Sequence, residues 1–163
     1  MLEKVDRDNH EKESGKFFIN DEEMKKYFTE EERNIIKEAI EDHRGSRKIE
    51  PRSIYGKVLS DSDRDFDIYL LAKRQLSTSI KNLPELKTGL EHFENCYSYI
   101  MKRINGEGHF NLWTNNQILV ERRAKFEQDF LDKEFAQKVY LDEYARIEKD
   151  GTIEKIINYY EDY

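Results

Sequence analysis

The sequence predicts an all-α protein, and three observations carry that expectation. Seven Gly and two Pro in 163 residues leave few places to break a helix. Apolar residues recur at spacings of three and four along nearly the whole chain. A capping-box pair, Thr29 with Glu32, stands directly before one of these periodic runs.

Taken in order, a polar start, MLEKVDRDNHEKESG, precedes a short helix over Asp21 to Phe28. Thr29 and Glu32 then open EEERNIIKEAIEDHR. Its inward stripe is Ile36, Ala39 or Ile40, then His43, with Arg33, Lys37, Glu38 and Glu41 on the solvated face. After the loop GSRKIEP, Pro51 suits a first helical position, and one helix is expected through SIYGKVLSDSDRDFDIYLLAKRQL. Leu59, Phe66 and Leu70 share a stripe of it, and Asp63 falls within that stripe, where a carboxylate needs a partner. LKTGLEHFENCYSYIMKRI aligns Leu86, Leu90, Phe93, Tyr97, Ile100 or Met101, and Ile104 on one side of a helix ended by Asn105-Gly106. GEGHFNLWTNN reads as a loop anchored by Phe110 and Trp113. Gln117 to Asp150 reads as one long helix or two shorter ones stopped by Gly151, and Thr152 caps a last helix ending in INYYEDY.

Composition narrows the function classes. The 28 basic and 35 acidic side chains leave a net charge of −7, which disfavours nonspecific binding to a nucleic-acid backbone. With 39% charged against 37% hydrophobic residues the core is modest. No stretch has the apolar length of a membrane span and the start is too charged for a signal peptide, so a cytoplasmic protein without membrane contact is expected. Cys96 is the single cysteine, which excludes an intrachain disulfide and a cysteine-rich zinc site and suits a small core residue. His92 and His109 read as surface or capping residues, and Tyr159, Tyr160 and Tyr163 as part of a packed terminal helix.

The chemistry concentrates in HRGSRKIEPRSIYGKVLSDSDRD, residues 43–65. Five basic residues (Arg44, Arg47, Lys48, Arg52 and Lys57) face one acid, Glu50, between positions 44 and 57 of an acidic chain. Such a reversal either grips a phosphate-bearing ligand or pairs with nearby carboxylates in a solvated loop. Asp61, Asp63, Asp65 and Asp67 recur every second residue, so they do not share a helix face. An inward His43 with an inward Asp is either a buried hydrogen-bonded pair or part of a metal site. His10-Glu11 does not begin a metalloprotease motif, because position 14 is Ser14.

KEAIEDHRGSRKIEPRSIYGKVLSDSDRD resembles the second half of the HD superfamily of metal-dependent phosphohydrolases, in particular small bacterial HD-domain proteins with an EDHR-x-S…EPRSIYGKI-x-x-DADR pattern. DNHEKESG, at Asp8 to Gly15, is similar to the segment that carries an additional His in many members. The resemblance spans residues 6–70, with weaker similarity around Phe110 to Trp113. It implies an HD-like helical bundle holding a divalent metal ion such as manganese, magnesium or iron. It also implies a small phosphorylated molecule or nucleotide as substrate. Carried over, the distal Asp is Asp63, with Asp61 as the alternative register, and the two extra histidines are His10 and His43. Arg44, Arg52 and Lys57 fall where a substrate phosphate is gripped.

One departure is plain: no His-Asp dipeptide occurs, the four histidines being His10-Glu11, His43-Arg44, His92-Phe93 and His109-Phe110. The expectation is an N-terminally incomplete HD-like domain over residues 1–113, with a C-terminal helical extension over 114–163 packed on it. Missing helices would leave apolar surface of the Ile35 to Ile40 helix uncovered, and a homodimer or a rearrangement of the tail would bury it. The competing expectation is a noncatalytic helical binding or oligomerisation module that holds an anionic ligand.

Overall fold

The computed structural model describes residues 9–44, 48–105 and 110–150, which form eight α-helices and no strand. They are α1 (His10–Asn20), α2 (Met24–Tyr27), α3 (Glu30–Asp42), α4 (Ile54–Ser62), α5 (Ile68–Asn82), α6 (Gly89–Ile104), α7 (Gln117–Leu131) and α8 (Lys133–Lys149). The all-α expectation holds. No helix among the described residues is long and apolar enough to cross a membrane.

Side-chain caps set most boundaries. Thr29 and Glu32 form the expected capping box of α3, and Thr88 with Glu91 forms a second one on α6. Asp132 caps α8 by accepting from the Phe135 amide at 3.0 Å, which resolves the stretch after Gln117 into two helices. The single helix expected from Pro51 to Leu76 is two. Ser53 caps α4, Asp63 ends it, and Asp67 accepts from the Tyr69 and Leu70 amides at 2.8 and 3.0 Å to start α5. Short acidic side chains compete for backbone amides and favour such caps over helix interiors. The polar start also contains a helix, α1, which the expectation missed. The expected last helix and its cap Thr152 lie outside the described residues, as do His109, Arg47 and the three C-terminal tyrosines.

By its contacts the chain divides into two compact units. Of the described residues, the first takes 9–64 and 110–119, the second 65–105 and 120–150. The expected boundary at 113/114 thus falls inside a segment that belongs with the first unit.

The first unit stacks α1 on α3 and α3 on α4. Gly15 lets α1 lie close, since a Cβ there would be 3.1 Å from Cγ of Glu41 and 3.3 Å from Cγ of Lys37. The face of α3 expected to be solvated is therefore partly covered by α1, and Lys37 and Glu41 pair on it at 3.0 Å. Among the described residues of this unit only Ala39 and Pro51 are buried apolar side chains; the other buried side chains are Glu11, Asp42, Ser60 and Asp61. Its most exposed apolar row is not on α3, where Ile35, Ile36 and Ile40 are half-buried. It runs along α4, where Ile54 and Tyr55 are each 61% exposed and Val58 is 54% exposed.

The second unit packs α8 against α5 and α6 around a buried aromatic cluster. Phe93, Phe126, Phe130 and Tyr140 are fully buried, with ring centroids of Phe126 and Phe130 4.9 Å apart and of Phe93 and Tyr140 5.5 Å apart. The Tyr140 hydroxyl donates to Oε1 of Gln75 at 2.5 Å, satisfying its one polar atom. Cys96 is buried here and its thiol is pushed up to about 11 by burial, as befits a small core residue.

His92, expected at the surface, is buried at 2% exposure, because the side of α6 that packs inward is Gly89, His92, Phe93, Cys96 and Ile100. Its Nδ1 meets Oγ of Ser79 at 2.8 Å and its ring stacks on Tyr144 at 5.8 Å, with Glu91 and Glu85 as the nearby charges. Burial holds its pKa below the ordinary 6.5, outweighing the pull of those carboxylates. The unfolded chain therefore binds the proton first, so stability present above about pH 6.5 is lost as pH falls through the folded value. Urea unfolding at pH 7.5 and 5.0 is expected to show this loss, and a His92→Gln variant to show less of it. Capping carboxylates such as Glu32 and Glu91 are held below 4.5 by their amide donors and contribute only in a more acidic window.

Candidate functional site

His10 opens α1 and His43 caps the end of α3, so the packing of these two helices brings the histidines together. Their rings meet edge to face with centroids 5.6 Å apart. Nδ1 of His43 contacts the Ile40 carbonyl at 2.5 Å, a contact that puts the proton on that nitrogen and leaves Nε2 as the acceptor. Beside them Glu11 is buried at 8% exposure. Its Oε2 lies 3.5 Å from Nδ1 of His10, and its Oε1 lies 3.6 Å from Nη1 of Arg44.

The aspartate carried over with the two histidines does not join them. Asp63 is the exposed C-cap of α4, its amide donating to the Leu59 carbonyl at 3.3 Å. The inward face of α4 is Gly56, Ser60 and Asp61 rather than the stripe through Leu59, so the buried carboxylate is Asp61, the alternative position. Asp61 is 2% exposed and accepts from the amides of Trp113 and Thr114 at 2.9 and 2.8 Å and from the Thr114 hydroxyl at 2.6 Å. Its oxygens thus anchor the loop at residues 113–114. At Trp113 the contact that ties the loop is the backbone amide, the side chain being half-buried. Next to His43, Asp42 is fully buried and accepts from the Arg52 amide at 2.8 Å and from its Nε at 3.0 Å.

Each of the expected phosphate-binding cations faces a carboxylate of the chain. Arg52 bonds Asp42 and also Glu41 at 2.7 Å, and these partners drive its pKa upward. The same contact lowers the pKa of Glu41. Lys57 pairs with Glu50, and Arg44 with Glu11. The run EPRSIYGK is a clamp built from these pieces. Pro51 is buried, Ser53 accepts from the Gly56 amide, and Gly56 permits the approach of α4, since a Cβ there would lie 3.1 Å from Cβ of Pro51 and 3.3 Å from Cβ of Asp42. Arg44, Arg52 and Lys57 thus each pair with nearby carboxylates of the chain. A groove of about 510 Å³ along α3 is lined by Glu30, Glu31, Asn34, Ile35 and Glu38, a wall that repels phosphate.

No family model matches this chain, and neither a curated protein nor a solved structure matches it.

Two imidazoles on adjacent helices are a donor pair suited to a transition-metal ion. Among the described residues, however, no three His, Cys, Asp or Glu side chains are placed to share one ion. Asp63 is not among the residues that meet the histidine pair. The residues that sequence reasoning missed here are Glu11 and Asp42. Their adjacency to His10 and His43 was the available signal.

Proposed function

We propose that the first unit is the His10/His43 half of an HD-type, metal-dependent phosphohydrolase centre acting on a small phosphorylated molecule or nucleotide in the cytoplasm. The observation that supports this is the meeting of His10 and His43 across α1 and α3. These are the two histidines for which the sequence resembles that family. A divalent ion at such a site supplies an activated water and polarises the phosphoryl oxygen. In this reading His10 and His43 hold the ion's nitrogen side. Arg44, adjacent to His43, is the cation closest to the pair in sequence and lends positive charge to a phosphoryl group there. Arg52 and Lys57 act indirectly, through the clamp that fixes the end of α3. The sequence holds no His-Asp doublet, so in this reading His10 and His43 supply only part of the ion's ligand set.

Elemental analysis after incubation with manganese, magnesium, iron or zinc tests this reading. The expected result is retained metal in the unaltered chain and in Asp63→Ala, and at least tenfold less in the His10→Ala, His43→Ala double variant. Metal content that is absent throughout, or equal in all three, sinks it.

A second reading is favoured by the exposed apolar row of α4. In it the unit is a noncatalytic module that self-associates or holds an anionic ligand. Its mark is association in sedimentation that a chelator leaves unchanged.

A further inference from the structure

We infer that Glu11 is a positioning residue for His10, holding the imidazole with its proton on Nδ1 and its acceptor lone pair on Nε2. The starting observation is a polar atom without an evident partner. Glu11 is more than nine-tenths buried at 8% exposure, and its Oε2 is screened from solvent with no hydrogen-bond partner among the described residues. A buried carboxylate oxygen in that state is costly and demands a donor.

Nδ1 of His10, 3.5 Å away, is such a donor when it carries the ring proton. A closure of a few tenths of an ångström brings the pair into ordinary hydrogen-bond range. The carboxylate is held from its other side by Arg44, whose Nη1 lies 3.6 Å from Oε1. The site then has a regularity: His43 also commits its Nδ1 to an oxygen of its own helix, the Ile40 carbonyl at 2.5 Å. Both rings of the edge-to-face pair carry the same tautomer by local means, one through a side chain and one through the backbone. That tautomer is the one through which Nε2 takes a metal ion, and a carboxylate or carbonyl on the other nitrogen commonly fixes it. The value of the arrangement for metal binding rests on the function proposed above; the tautomer itself does not.

The test is long-range ¹H–¹⁵N NMR of the full metal-free chain at a pH where the rings are neutral, followed by manganese titration. His10 is expected as the Nδ1–H form in the unaltered chain and in Glu11→Gln, which keeps an acceptor oxygen. It is expected to move toward Nε2–H in Glu11→Ala and in the bulk-preserving Glu11→Met. His43 is the internal control and is expected to stay Nδ1–H in all four. Manganese affinity is expected to fall ten- to a hundredfold in the Ala and Met variants and to be largely rescued in Gln. A His10 protonated on Nε2 in the unaltered chain overturns the inference, as does an unchanged tautomer in a folded Ala or Met variant. If His10 shows the expected tautomers while the unaltered chain binds no manganese, the metal reading fails and the role of Glu11 stands.

Discussion

Asp61→Ala is expected to destabilise the protein by about 3–5 kcal/mol, because it strands three donors at about 1–3 kcal/mol each. Asp61 is 2% exposed and receives two backbone amides and a hydroxyl, from Trp113 and Thr114. Its loss leaves those donors facing an apolar methyl group. The first unit has little apolar burial with which to absorb the deficit, Ala39 and Pro51 being its buried apolar side chains among the described residues. Asp61→Asn keeps one acceptor oxygen and is expected to lose roughly half as much. The chain has one tryptophan, and it is the residue held by Asp61, so Trp113 emission in urea reports the release directly. A loss below about 1 kcal/mol with unshifted emission would show that water replaces the carboxylate without penalty. The experiment also separates Asp61 from Asp63: only the former acts through stability.

What the sequence disclosed follows from how local each signal is. The α3 capping box is written within four residues, Thr29 to Glu32, and was legible; so was the extent of helix beyond Gln117. Helix α1 was not, because its buried positions are Glu11 and Gly15, which carry no apolar periodicity. The break between α4 and α5 was hidden by aspartates at every second position, any of which is a plausible cap; the register of Asp63 was lost with it. That His43 and Asp63 belong to one site is implied by the family resemblance alone, since they stand on different helices. The meeting of His10 with His43 was expected only from the family resemblance, since thirty-odd residues separate them and helix packing alone joins them. The Asp42–Arg52 clamp likewise closes a ten-residue separation, and a charge count over the loop does not say which acid each cation will find.

The opposite kind of core governs the second unit, and Phe130→Ala is expected to destabilise it by about 3–5 kcal/mol, the range for truncating a fully buried aromatic ring. Phe130 is 0% exposed, with ring centroids of Phe126, Tyr140 and Tyr97 at 4.9, 6.2 and 6.3 Å. Three rigid rings collapse poorly into the space it leaves, which places the expected cost toward the upper end. Val58→Ser on the exposed row of α4 is expected to change stability by no more than about 0.5 kcal/mol, because the side chain it replaces is already half in water. Circular dichroism in urea measures both. Phe130→Leu then divides the loss into its causes: leucine refills much of the volume but offers no ring to the three neighbours. Recovery of most of the stability means that filled space holds the cluster. A loss equal to that of alanine means that the edge-to-face and stacked contacts do, a term worth about 0.5–1.5 kcal/mol per pair beyond burial. The geometry favours the first outcome, since the 6.2 and 6.3 Å contacts lie near the long end of the range in which ring electrostatics adds to packing.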